Sequence, residues 1–84
     1  MTTHKPKLTA RRVETAPPGT HEDGRGLRLV VRPSGSRSWI LRYQIEGRRR
    51  DMGIGRYPET TLAMARDRAL DLRRQIDTRR DPVA

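Results

Sequence analysis

Residues 39–57, WILRYQIEGRRRDMGIGRY, alternate apolar and polar side chains on both sides of a glycine. Trp39, Leu41, Tyr43 and Ile45 share one face of an extended chain, and Ile40, Arg42, Gln44 and Glu46 share the other, because strand side chains alternate with a period of two. After Gly47 the pattern resumes with Met52 and Ile54 on the first face, so two strands form a hairpin. Gly47 followed by Arg48 suits a two-residue type II′ turn, which pairs Glu46 with Arg49, Ile45 with Arg50, Gln44 with Asp51, Tyr43 with Met52 and Leu41 with Ile54. A slip of one residue would set Met52 and Ile54 against the polar set, and burial of the apolar face disfavours it. In this register Arg48 sits in the turn, Arg49 joins Arg42 on the polar face, and Arg50 lays its stem over the core edge near Ile45.

Upstream, Leu27, Leu29 and Val31 alternate with Arg28, Val30 and Arg32, which predicts another strand, closed by the loop PSGS at residues 33–36. Pairing Leu29 with Leu41 sets Arg28 opposite Arg42. The segment HEDGRG, residues 21–26, reads as a turn. Before it, Thr9 suits a helix N-cap, with Leu8 and Val13 spaced as a hydrophobic staple and Pro17-Pro18-Gly19 ending the helical turn. Beyond Tyr57-Pro58 the period becomes helical. Leu62, Ala65, Ala69, Leu72 and Ile76 make one apolar stripe after an N-cap at Thr61, long enough to cover a three-stranded sheet. Arg66, Arg68, Arg73 and Arg74 mix with Asp67, Asp71 and Asp77 on the outer side, which reads as a nearly neutral solvated face.

The expected fold is α+β: a three-stranded antiparallel sheet packed on one face by a C-terminal α-helix, with a short N-terminal helical turn. A chain of 84 residues buries only about 60% of its unfolded surface, enough for a single thin core. It has no cysteine, which removes disulfides and thiolate chemistry and suits a reducing cytoplasm. No apolar run approaches a membrane span and no signal-peptide core is visible.

The net charge is +9, with nineteen Lys and Arg against ten Asp and Glu. Residues 27–57 hold eight basic and two acidic groups, so the excess is concentrated in the sheet. An arginine-rich genome would not place it there, and a polyanionic partner would use it. The sheet face away from the helix collects Arg28, Arg32, Arg42, Gln44 and Arg49, with Val30 and Ile40 between them.

Several short motifs occur in order: Leu8-Thr9, Asp23-Gly24-Arg25-Gly26-Leu27, Pro33-Ser34-Gly35-Ser36, Trp39-Ile40-Leu41-Arg42-Tyr43, Gly55-Arg56-Tyr57-Pro58, Leu62-Ala63-Met64-Ala65-Arg66 and Asp81-Pro82. Together they resemble the amino-terminal arm-type DNA-binding domain of prophage integrases, the tyrosine site-specific recombinases. The family often has a glutamate where Met64 stands, which would complete a capping box. The resemblance implies a flexible basic tail at 1–7, one arm-type domain at 8–82, and residues 83–84 opening a linker to core-binding and catalytic domains. It implies that the sheet enters the major groove at arm sites, and that this segment is not itself an enzyme.

On that reading Arg28, Arg42 and Arg49 suit bidentate contacts to guanine and Gln44 to adenine, while Arg32, Arg37, Arg48, Lys5 and Lys7 suit phosphates. No cofactor, metal, membrane or small-molecule substrate is expected. The domain alone is expected to be monomeric, in a parent protein multimeric on DNA. RNA binding by the same sheet and docking between recombinase subunits are the other readings that the basic face allows.

Overall fold

A computed structural model describes residues 8–77. The element order is α1 (Ala10–Thr15), β1 (Gly19–Gly24), β2 (Leu27–Val31), β3 (Arg37–Ile45), β4 (Arg48–Tyr57) and α2 (Leu62–Asp77). The four strands form one antiparallel meander, β1-β2-β3-β4, and both helices lie against the face that carries Leu29, Trp39 and Leu41.

The local signals for the helices act as expected. Thr9 caps α1 by accepting the Arg12 N–H on its hydroxyl at 3.1 Å, and Leu8 and Val13 are both buried. Thr61 caps α2 by accepting the Met64 N–H at 3.2 Å. Leu62, Ala65 and Ala69 are buried, and Leu72 and Ile76 pack against the core at its edge. Trp39 is fully buried, and its Nε1 donates to the Thr60 carbonyl at 2.8 Å. At ~25 cal/mol per Å² an indole of ~200 Å² contributes about 5 kcal/mol at most, which makes Trp39 the principal anchor of this small core.

The sheet has four strands where the sequence suggested three. Residues 19–24, GTHEDG, contain no large apolar side chain, so no alternation betrays β1; it forms because its backbone completes the edge of β2, with Glu22 opposite Arg28. The turn proper is Arg25-Gly26, both with positive φ (56° and 89°), as a type I′ hairpin requires. Asp23 is an extra residue between the paired Glu22 and Gly24.

Both inner registers differ from the expected ones by two residues. Leu29 faces Trp39 and Arg28 faces Ile40, so Arg28 does not oppose Arg42. The β3–β4 loop is Glu46-Gly47 (φ 51° and 77°), a type I′ turn, and it sets Gln44 against Arg49, Tyr43 against Arg50, Arg42 against Asp51 and Leu41 against Met52. Arg48 is the first residue of β4, opposite Ile45, and lies outside the turn. A two-residue shift returns every side chain to the same face, so apolar alternation could not choose between these registers. Type I′ and type II′ turns both match the strand twist, and the observed register is the one that joins Arg42 to Asp51.

The outer face of α2 is less solvated than its charge pattern suggested. Arg66 turns inward: Nε and Nη2 donate to the Asp23 carboxylate at 2.9 and 2.8 Å, and Nη2 also donates to the Leu8 carbonyl at 2.7 Å. Arg68 Nη1 donates to the Ile54 carbonyl at 2.8 Å and to Thr60 Oγ1 at 3.2 Å. Gly55 makes room for this cluster, since a Cβ there would overlap the Thr60 side chain.

Candidate nucleic-acid interface

The face away from the helices is built from alternate residues of four strands. Pairing places Glu22 beside Arg28, Arg28 beside Ile40, Arg42 beside Asp51, Gln44 beside Arg49 and Ser38 beside Arg56. The surface is polar and basic, with Val30 and Ile40 half-buried at its centre. Gly53, opposite Ile40, leaves that part of the face low.

The arginines on it are held to different degrees. Arg28 pairs with Glu22 at 3.0 Å. Arg42 makes a two-point contact with Asp51, Nε to Oδ1 at 2.8 Å and Nη2 to Oδ2 at 3.2 Å. Asp51 hydrogen bonding holds the Arg42 guanidinium above its ordinary pKa, and the same contact, helped by the charges of Arg42, Arg28 and Arg49, draws the Asp51 carboxyl below its own. Both groups are open to water, so the pair fixes an orientation more than it adds stability. Arg32, just past β2, donates to Ser38 Oγ at 3.0 Å, at the opposite end of the face from the β3–β4 turn. Gln44 and Arg49 are exposed side by side.

Two expected site residues sit elsewhere. Arg37 points to the helix side, and its guanidinium donates to the carbonyls of Val13, Glu14 and Ala16 at 2.8, 2.9 and 3.0 Å and to Gly35 at 2.8 Å. It closes the C-terminal end of α1, whose carbonyls have no partners within the helix. Arg48 is exposed on the core-side edge of the hairpin, opposite Ile45. Lys5 and Lys7 lie outside the described residues.

Arg56 belongs to the face and was missed. Straight alternation from Met52 and Ile54 assigns it to the core side. Ile54, however, is an extra residue between the pairs Ile40–Gly53 and Trp39–Gly55, and this bulge returns Arg56 to the open face opposite Ser38. The two glycines flanking a single isoleucine were the available signal. Glu22 was missed with its strand.

β3 and β4 run beyond β2: β2 pairs with β3 only from Arg37 to Leu41, with one further hydrogen bond from the Arg42 N–H to the Gly26 carbonyl at 2.8 Å. The segment from Tyr43 to Arg50 is therefore a two-stranded ribbon. Its tip carries Gln44, Arg48 and Arg49.

The family described as "Arm DNA-binding domain" matches residues 8–84. The chain belongs to the arm DNA-binding domain family. It is 41% identical to the integrase of Shigella phage Sf6 and to the prophage integrase IntS of Escherichia coli K12, in each case over 80 residues that make up 90% of this chain and 21% of the relative. It is 38% identical to the E. coli prophage integrase IntZ over 85 residues, 94% of this chain and 21% of that protein. This arm DNA-binding domain thus spans about a fifth of the length of the curated relatives it matches, and the catalytic part of an integrase is not in it.

Three of the sequence motifs of this arm DNA-binding domain meet in space. Leu8, Asp23 and Arg66 come from three separate motifs and share one hydrogen-bonded cluster. They shape the scaffold, and the open face is a different surface. Among the described residues no group of three His, Cys, Asp or Glu is placed to hold a metal ion, and no helix is long and apolar enough to cross a membrane.

Proposed function

We propose that the chain binds double-stranded DNA at arm-type sites by seating the β3–β4 ribbon in the major groove, as part of a tyrosine recombinase that integrates and excises a phage element. The observation that carries this reading is the ribbon itself: two strands, free of β2 from Tyr43 to Arg50, bearing Gln44 and Arg49 on the same face as Arg42. A major groove ~12 Å wide admits a two-stranded ribbon. Arg42 and Arg49 supply the forked donors that suit guanine, Gln44 the donor and acceptor that suit adenine, and Asp51 an acceptor for the amino group of cytosine. Arg28, Arg32 and Arg56 flank them for phosphates.

RNA reading by the same face is disfavoured by the placement of the aromatics. Trp39 and Tyr43 are buried and Tyr57 packs at the core edge, so the open face offers no ring on which a base could stack.

Titrating the 15N-labelled chain with duplexes carrying repeats that flank the parent element's attachment site tests the proposal. Amide shifts should concentrate at residues 40–51. Shifts confined to α2 would place the interface on the wrong side of the sheet.

A further inference from the structure

A cavity of about 180 Å³ opens between α2 and the β1–β2 turn, with Asp23, Arg25, Arg66 and Arg73 in its lining. Three cations and one anion line it, and Asp23 is already neutralised by the two-point contact with Arg66. The remaining charges, Arg25 and Arg73, repel one another. Arg73 Nη2 is buried with no hydrogen-bond partner, and a buried guanidinium N–H left unsatisfied costs more than an ordinary missing bond. Burial and the Arg25 charge both push the Arg73 guanidinium below its ordinary pKa, with Asp77 pulling weakly the other way.

The backbone adds a second observation. Arg25 has φ 56°, in the first central position of a type I′ turn. That position favours asparagine, aspartate or glycine, and a long side chain held there carries a strain of order 1 kcal/mol. An arginine held at positive φ thus lines the cavity together with a second arginine whose Nη2 has no partner.

We propose that Arg25 and Arg73 form a phosphate-binding site between the β1–β2 turn and α2. A tetrahedral oxyanion seated there accepts from the guanidinium groups of Arg73 and Arg25, and offsets their like-charge repulsion with charge-assisted bonds. The same end of the sheet carries the β3–β4 ribbon tip, since both turns lie there in an antiparallel meander. The phosphate is supplied by a DNA backbone beside the ribbon or by a mobile phosphate.

Inorganic phosphate titrated into the full 84-residue chain at constant ionic strength, with the Arg Nε–Hε resonances observed, tests the site directly. The Arg25 and Arg73 signals should move together and saturate. Phosphate affinity should fall at least about tenfold in Arg73→Gln and in Arg25→Gly, the loss expected when one charge-assisted bond is removed. Arg25→Gly relieves the positive-φ strain, so its fold is secure even if Arg73→Gln is less stable. Unmoved signals in the wild type, or wild-type affinity retained in both variants, would overturn the site. A salt-dependence measurement on duplex DNA separates the two sources. A log-log slope shallower by about 0.9 in Arg25→Gly assigns the phosphate to the DNA backbone, and an unchanged slope with lost phosphate binding assigns it to a mobile phosphate.

Discussion

Arg66 on α2 and Asp23 on β1 are joined by two hydrogen bonds of 2.9 and 2.8 Å, and the same carboxylate accepts the Leu8 N–H at 2.8 Å. This contact ties the strand that lacks an apolar side of its own to the helix and to the start of the chain. Asp23 is 5% exposed, so Asp23→Ala leaves a buried N–H and a partly buried guanidinium without their acceptor. Because the Arg66 side chain is 40% exposed, water recovers part of the loss. The expected cost is about 2 kcal/mol, read as a lower denaturant midpoint with an unchanged slope. A loss under about 0.5 kcal/mol would mean that the cluster is ornamental.

Arg37 is a scaffold residue by its contacts. Arg37→Ala should destabilise the chain by about 2 kcal/mol, from unsealing the C-terminal carbonyls of α1, and Arg37→Lys should recover little because an ammonium cannot reach four carbonyls in a fork. The salt slope of duplex binding by the folded fraction should not change. A shallower slope would return Arg37 to the phosphate contacts.

Gly26 and Gly47 both have positive φ but differ in surroundings. A Cβ at Gly26 would overlap the Arg42 carbonyl oxygen, whereas one at Gly47 meets nothing. Gly26→Ala should cost about 2 kcal/mol or more, while Gly47→Asn should be within about 0.5 kcal/mol of the wild type. Thermal unfolding of the two variants side by side checks the contrast.

Asp51 reports on the state of Arg42. Its folded pKa lies below the ordinary value of 3.8, so the pair's contribution is complete above that value and is lost as pH falls through the depressed folded one. A carboxyl 13C titration should give a midpoint below 3.8 for Asp51, moving back toward it in Arg42→Gln. An identical midpoint in both proteins would show that the two-point contact does not form in solution.

The helices and the two faces of β2, β3 and the start of β4 were legible because each rests on a local signal: a hydroxyl at an N-cap, a stripe of period 3.6, an alternation of period two. β1 was not, because an edge strand needs only backbone pairing on one side and GTHEDG buries no large side chain. The register was half legible. Parity follows from burial, but a shift of two residues preserves parity, and the choice rests on turn geometry and on the Arg42–Asp51 contact. Arg56 was lost at the Ile54 bulge for a related reason, since one unpaired residue inverts every later assignment. Arg37 and Arg66 could not be told from surface arginines, because their partners are carbonyls and a carboxylate brought near only by the tertiary fold.

The face of the β3–β4 ribbon is proposed to read duplex DNA. Fluorescence anisotropy on an arm-site duplex, at two salt concentrations, compares the wild type with Arg42→Gln/Arg49→Gln and with Arg11→Gln/Arg74→Gln, which removes the same charge from exposed helical positions. The wild type should lose affinity steeply with salt, by about 0.9 log units per log unit for each phosphate contacted. The ribbon variant should bind at least about tenfold more weakly and lose discrimination against random duplex, while remaining folded. The helix variant should keep that discrimination. The opposite pattern, with the ribbon variant binding normally and the helix variant not, would contradict the account.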